Sequence, residues 1–274
     1  MIRFLVVVLV ACGSAAPSCP LPPKPTAVQP FLWKAQKGDG PVVWLYGTIH
    51  VAGADDVPPA AWAALDGAPK VITELGDVEA DPAKTAELIR LPPGKGLDQQ
   101  LPAGDWYDLR DTLRGSVKEA DLARFRPWLA IVKLNAKVAP APTPNMDTAI
   151  AKRGRSKGKP VEALESLDVQ LKALADTITI ADLRQEIQNR NQLACANASL
   201  KATYDAGDLA GITTRLLIPQ THALVVDRSK AWLPAIEAAF AGGGFVAVGL
   251  GHLLGDEGLP ALLAKAGYTV SRVP

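Results

Sequence analysis

The chain has 274 residues, with 29 Lys and Arg against 28 Asp and Glu, for a net charge of +1. That balance argues against a nucleic-acid binder working through a general positive field, and 6 Trp, 4 Tyr and 5 Phe are few for a base-stacking platform. With 48% hydrophobic and 21% charged residues the composition is globular, and no apolar run approaches the roughly 18 residues of a spanning helix.

The first elements read as an export signal and a tether. Met1-Ile2-Arg3 is a short basic start, Phe4 to Ala11 is apolar, and Leu9-Val10-Ala11-Cys12 has the form of a bacterial lipobox, whose cysteine is lipidated after cleavage. The alternatives are ordinary secretion, with Ser14 and Ala16 at the small-residue positions and Pro17 unfavourably after the cut, and a retained N-terminal anchor. Membrane contact is expected only through a lipid on Cys12, in the cell envelope. Cys19 and Cys195 then remain, and an exported protein can pair them or leave them free. Residues 13–30 are small and Pro-rich, as in a semi-extended tether, and the folded part is expected from Phe31.

Val42 to Tyr46 is a continuous apolar run, predicting a buried strand that leads into Gly47-Thr48-Ile49-His50. Pro58 and Pro59 open a helix to Leu65, Lys70 to Leu75 (KVITEL) predicts the next strand with Glu74 near its end, and Asp81-Pro82 opens a helix to Leu91. The middle reads as helical. Pro127 marks a helix start within 122–139, Ala139 to Pro144 is a loop, and Asp147 to Arg153 is a short helix followed by a basic turn to Lys159. Pro160 to Leu164 is a third strand candidate, and Ser166 to Gly207 reads as one or two long helices.

The opening pattern then returns. Arg228 to Ala241 predicts a helix kinked at Pro234, and Phe245 to Val248 a buried strand followed by Gly249-Leu250-Gly251-His252. Asp256 to Ala266 predicts a helix with acidic residues in its first turn, ended by Gly267, and Tyr268 to Val273 a closing strand. The fold class expected is α/β: a central mixed sheet from two similar strand–Gly-x-x-His–helix–strand half-units, with a helical insertion over about 95–240.

A histidine just past a strand and a glycine sits at the carboxyl edge of a sheet, where ligands of open α/β folds bind. His50 and His252 share that setting, and Glu74 can join them. Two His and one Glu can hold zinc, manganese or cobalt and leave room for a water whose pKa the metal lowers. Each residue also has a plain structural reading: a satisfied histidine, a solvated glutamate. His222, in PQTHALVV, lacks the setting.

These residues resemble the TraB/GumN family, which includes the Tiki proteases. The family pattern is two distant Gly-x-x-His motifs and a glutamate after the first, matched here by Gly47 to His50, by Glu74 in VITEL and by Gly249 to His252. FVAVGLGHLLGDEGLPALLAKAGYTVSRV is similar to the bacterial form along its length. The family's Arg-Asn-x-x-Trp has its counterpart in Arg228-Ser229-Lys230-Ala231-Trp232, with Ser229 in place of Asn. Its central Gly-x-Asp corresponds to Asn145-Met146-Asp147, and its Gly-Lys-Pro-Val and Leu-Glu to Gly158 to Val161 and Leu164-Glu165.

The resemblance implies a metal-dependent, peptidase-like hydrolase acting on a peptide or small molecule, with His50, Glu74 and His252 as ligands. Glu74 would be a ligand or general base, and Arg228 would stabilise an oxyanion or else form a structural ion pair. The similar erythromycin esterases imply a metal-free hydrolase in which His50 or Glu74 is the general base. ChaN-type relatives imply an envelope haem or metal binder, for which 4 Tyr and 2 Met offer little. Asp147 and Glu165 could orient the histidines or serve as cap and surface residues, and Trp232 is expected in the core.

Overall fold

A computed structural model describes Cys19, Leu21 and residues 28–76, 81–218 and 222–274. The expected signal segment, Cys12 and most of the Pro-rich tether lie outside the described residues.

Six strands form one mixed sheet: β1 (Leu32–Gln36), β2 (Val43–Thr48), β3 (Val71–Thr73), β4 (Val161–Ala163), β5 (Gly244–Gly249) and β6 (Thr269–Arg272), in the spatial order β4-β3-β5-β2-β1-β6. Strands β4, β3, β5 and β2 are parallel, and β1 runs antiparallel to both β2 and β6. The mixed α/β class is as the sequence predicts. Strand β1 is an addition: LWKAQ carries Trp, Lys and Gln among its apolar residues, and its pairing comes from β2 and β6.

The apolar runs of β2 and β5 exist because both faces of the inner strands are covered. Val43, Leu45, Tyr46, Phe245, Val246 and Val248 are fully enclosed, with the helices Pro59–Gly67 and Arg228–Ala239 adding Leu65, Trp232 and Ile236. Each such side chain contributes about 1.5–3 kcal/mol of burial free energy. A second cluster, with Leu97, Leu109, Leu122, Leu134, Leu183 and Ile187, gives the central helices their own core.

Residues 166–207 form three helices rather than one or two: Leu167–Thr177, Ile180–Asn189 and Leu193–Asp205. Thr179 and Asp182 make a capping box that starts the second, so the chain breaks where Thr179 takes the N-cap. The basic stretch after Arg153 continues the helix Met146–Ser156, because Arg153 pairs with Asp66 and Lys159 reaches the Asp66 and Ala68 carbonyls. The C-terminal helix is shorter than predicted, Leu259–Lys265, with Gly258 as N-cap and Pro260 in its first turn. Asp256 and Glu257 therefore precede it. Pro234 lies inside the helix Arg228–Ala239. Among the described residues no helix is long and apolar enough to cross a membrane.

Candidate functional site

The parallel strands set the site. Thr48 of β2 pairs with Gly249 of β5, so both Gly-x-x-His segments leave the sheet side by side at one carboxyl edge. On the other side of β5, Thr73 of β3 pairs with Ala247, which delivers Glu74 beside Gly249. Strand β4 pairs Ala163 with Thr73, and the Glu165 amide donates to the Glu74 carbonyl at 3.1 Å, bringing Glu165 next. Four strands thus present Glu165, Glu74, His252 and His50 along one edge.

Close approach explains two of the glycines. A Cβ on Gly47 would collide with the Leu250 side chain, and one on Gly249 would sit 3.2 Å from Glu74 Oε1. The Gly249 amide uses that space, donating to Glu74 Oε1 at 2.7 Å.

Arg228 is the centre of the charge arrangement. One π-helical turn, Ala223–Asp227, carries the chain into its helix. Nε donates to Glu165 Oε1 and Oε2 at 3.1 and 3.2 Å, and Nη2 donates to Glu165 Oε1 at 2.5 Å and Glu74 Oε2 at 2.7 Å. Nη1 donates to the Leu224 carbonyl at 3.2 Å and lies 3.4 Å from His252 Nε2. Four of the five guanidinium N–H groups are therefore engaged by carboxylate or carbonyl oxygens, and the fifth is directed at the His252 ring. Burial alone would lower the Arg228 pKa, but Glu165 and Glu74 outweigh it and the net shift is upward. Trp232 Nε1 donates to Glu165 Oε2 at 3.1 Å, and the Trp232 ring lies 4.3 Å, centroid to centroid, from that of His252.

His252 is buried, 4% exposed, and burial pushes its pKa down to about 4. Its Nε2 is 3.8 Å from Glu74 Oε1, and its Nδ1 is 2.9 Å from Ser229 Oγ. Glu74 also accepts from Gln170 Nε2 at 3.0 Å.

His50 differs in every respect. Its side chain is 86% exposed at the rim of a cavity of about 340 Å³ lined by Glu74, Asp147, Thr148, Arg155 and Gln170 among others. Asp147 Oδ2 stands 3.6 Å from His50 Nδ1, an ion-pair separation longer than a formed hydrogen bond. Interaction with that carboxylate raises the His50 pKa. Thr48 Oγ1 donates to Asp147 Oδ1 at 2.7 Å. Burial acts to raise the Asp147 pKa, but His50 and Thr48 reverse the direction.

The structure thus brings Glu74, Arg228 and His252 into contact, with His50 on the cavity that Glu74 also lines. His222 lies elsewhere, 3.2 Å from Glu257, and Trp232 is in the core. Asp147 and Glu165, weighed equally with surface roles from the sequence, are both in the network, while Gln170 and Thr48 are additions. The signal for Glu165 was its place just past a strand, as in VITE. For a divalent cation the donors are already committed: Glu74 accepts three N–H groups and His252 Nε2 faces a guanidinium. Among the described residues no group of three His, Cys, Asp or Glu side chains is arranged to hold a metal ion. In this arrangement the residues do not fit a metal.

Cys19 and Cys195 form a disulfide, with Cα atoms 5.3 Å apart, tying the N-terminal arm to the helix Leu193–Asp205. In the same helix, Tyr204 donates to the Gly47 carbonyl at 2.7 Å, fixing the start of the first Gly-x-x-His segment.

No curated protein and no solved structure matches the chain. The TraB/PrgY/gumN family model matches residues 31–272, nearly the whole chain, and the chain belongs to the TraB/PrgY/gumN family.

Proposed function

We propose that this protein is an exported hydrolase in which His50, oriented by Asp147, activates water against a carbonyl substrate held in the cavity beside Glu74. The observation that carries this reading is the His50–Asp147 pair on the rim of that cavity. With Nδ1 turned to Asp147, Nε2 is the nitrogen left to take a proton from water. The hydroxide adds to the carbonyl carbon, and His50 then returns the proton to the leaving oxygen or nitrogen. Arg228, Gln170 and the Gly249 amide all donate to the Glu74 carboxylate. Its fixed negative charge at the cavity wall favours the imidazolium formed on His50. Arg228 holds Glu74 in place. Esters and amides of small molecules or short peptides suit the cavity's size.

The Cys19–Cys195 disulfide supports export, since such bonds persist in oxidising compartments. Lipidation at Cys12 rests on the Leu9 to Cys12 motif. The two strand–Gly-x-x-His–helix–strand segments we read as equivalent half-units, supported by the parallel, in-register pairing of β2 with β5.

A second reading, a metal-dependent hydrolase with manganese, cobalt or zinc on His50, Glu74 and His252, is supported by the 3.8 Å between His252 and Glu74 and by Glu74 and His50 lining one cavity. It requires Arg228 to release Glu74.

Turnover of a panel of acyl esters and short peptides, measured in a chelator and after adding each metal, tests both. Activity in the chelator that falls at least 100-fold in His50→Ala supports the first reading. Activity only with metal, together with about one retained metal per chain, overturns it in favour of the second. No turnover under any condition overturns both.

A further inference from the structure

Ser229 stands where the family pattern has Asn, and its surroundings fix the protonation of the second histidine. Ser229 Oγ lies 2.7 Å from the Val225 carbonyl oxygen, i−4 in the chain, and 2.9 Å from His252 Nδ1. A hydroxyl has one proton and a carbonyl has none to give, so the Ser229 proton lies toward Val225. The hydroxyl can then only accept from His252, and Nδ1 must carry the hydrogen. Nε2 is therefore the bare nitrogen, and what faces it is a donor: Arg228 Nη1, at 3.4 Å.

We infer that His252 works as a neutral hydrogen-bond acceptor for Arg228, held in the Nδ1-protonated tautomer by Ser229, and not as a metal ligand or a proton carrier. It is a positioning residue. The remaining four N–H groups of Arg228 go to Glu165, Glu74 and the Leu224 carbonyl, so the imidazole completes the guanidinium's coordination. With all donors satisfied, Arg228 has one orientation, and Glu74 with it. Trp232 supports the arrangement from both sides, lying 4.3 Å from the His252 ring centroid and 4.7 Å from the Arg228 guanidinium carbon while donating to Glu165. The π-helical turn at Ala223–Asp227 has a part in this, since it carries the Leu224 and Val225 carbonyls that meet Arg228 and Ser229.

The inference concerns the site proposed above, but its test reads the imidazole itself, so its failure is separable from failure of the hydrolase reading. In the disulfide-bonded chain labelled with 15N-histidine, the nitrogen shifts of His252 are assigned by comparison with His252→Gln. Expected is a pyrrole-type Nδ1 and a pyridine-type Nε2, with neither moving on addition of excess zinc. An Nε2-protonated ring, or an Nε2 resonance shifted by zinc, overturns the inference. Paired variants give a second readout. Gln can offer its carbonyl oxygen near the Nε2 position, whereas Leu keeps the packing and leaves an Arg228 N–H unpaired. His252→Leu is expected to melt about 5 °C below His252→Gln, as suits one buried unpaired donor to a charged group. Equal melting temperatures overturn the acceptor role.

Discussion

Arg228 and Glu165 form a forked pair in which Nε and Nη2 of the guanidinium grip both carboxylate oxygens, with only 4% of the Glu165 side chain and 13% of Arg228 exposed. Removing Glu165 leaves Arg228 with Glu74 as its one remaining carboxylate and strands two guanidinium N–H groups and the Trp232 N–H without their acceptor. Glu165→Ala is expected to lower the unfolding free energy by about 3 kcal/mol. Glu165→Gln keeps an acceptor for Trp232 and is expected to cost less. Urea unfolding checks both, and a loss under about 1 kcal/mol in Glu165→Ala would remove the pair from the account.

His50 and Asp147 predict a shift of the acid limb of activity. A general base works only unprotonated, so activity falls as pH drops through the His50 pKa. Asp147 holds that pKa above 6.5, and Asp147→Asn removes the cause. The acid limb of kcat/KM is therefore expected to move to lower pH, while kcat/KM at neutral pH falls roughly 10–100-fold as orientation is lost. A limb that moves to higher pH contradicts the assignment.

For His252 the sign is opposite. Its folded pKa is depressed to about 4 from 6.5. Above pH 6.5 the ring is neutral in both folded and unfolded states. Between 6.5 and 4 the unfolded chain takes up a proton that the folded chain refuses, so stability is lost as pH falls across that window. The full loss is about 3 kcal/mol for a shift of this size. Unfolding free energies compared between wild type and His252→Gln from pH 7 to 4 isolate this contribution from the carboxylates. Parallel curves would show that the ring is not buried and neutral.

The Cys19–Cys195 bond closes a loop over a sequence separation of 176. Replacing both cysteines with Ser is expected to cost about 2–4 kcal/mol, chiefly by freeing the unfolded chain. Thermal melts with and without reductant check this, and identical melts would mean the arm contributes nothing to the fold.

Much of the sheet follows from local sequence. The apolar runs before Gly47 and before Gly249 announce strands covered on both faces, because only such strands tolerate unbroken hydrophobicity. Pro58, Pro127 and Asp81-Pro82 mark helix starts since their fixed φ or side-chain acceptor suits a first turn. Strand β1, held between β2 and β6, was not legible, since a short strand with Trp, Lys and Gln has no distinctive period apart from its partners. The first break in 166–207 was legible in principle from Thr179 and Asp182, a short capping signal inside a long helical pattern.

By itself the sequence determined the residue types at the sheet edge: a glycine that permits close approach, a histidine after each of two strands, a glutamate after a third. These are local facts, fixed by what a strand end can hold. Only the tertiary structure decided how they divide. The order β4-β3-β5-β2 sets Glu165 beside Glu74 and aligns both with Arg228 from a distant helix, a pairing across 63 and 154 residues that no spacing encodes. The same packing buries His252 against Trp232 and Arg228 and leaves His50 in water beside Asp147. Two histidines in equivalent motifs acquire opposite electrostatics because burial and neighbouring charge, not sequence setting, fix which protonation state a ring keeps.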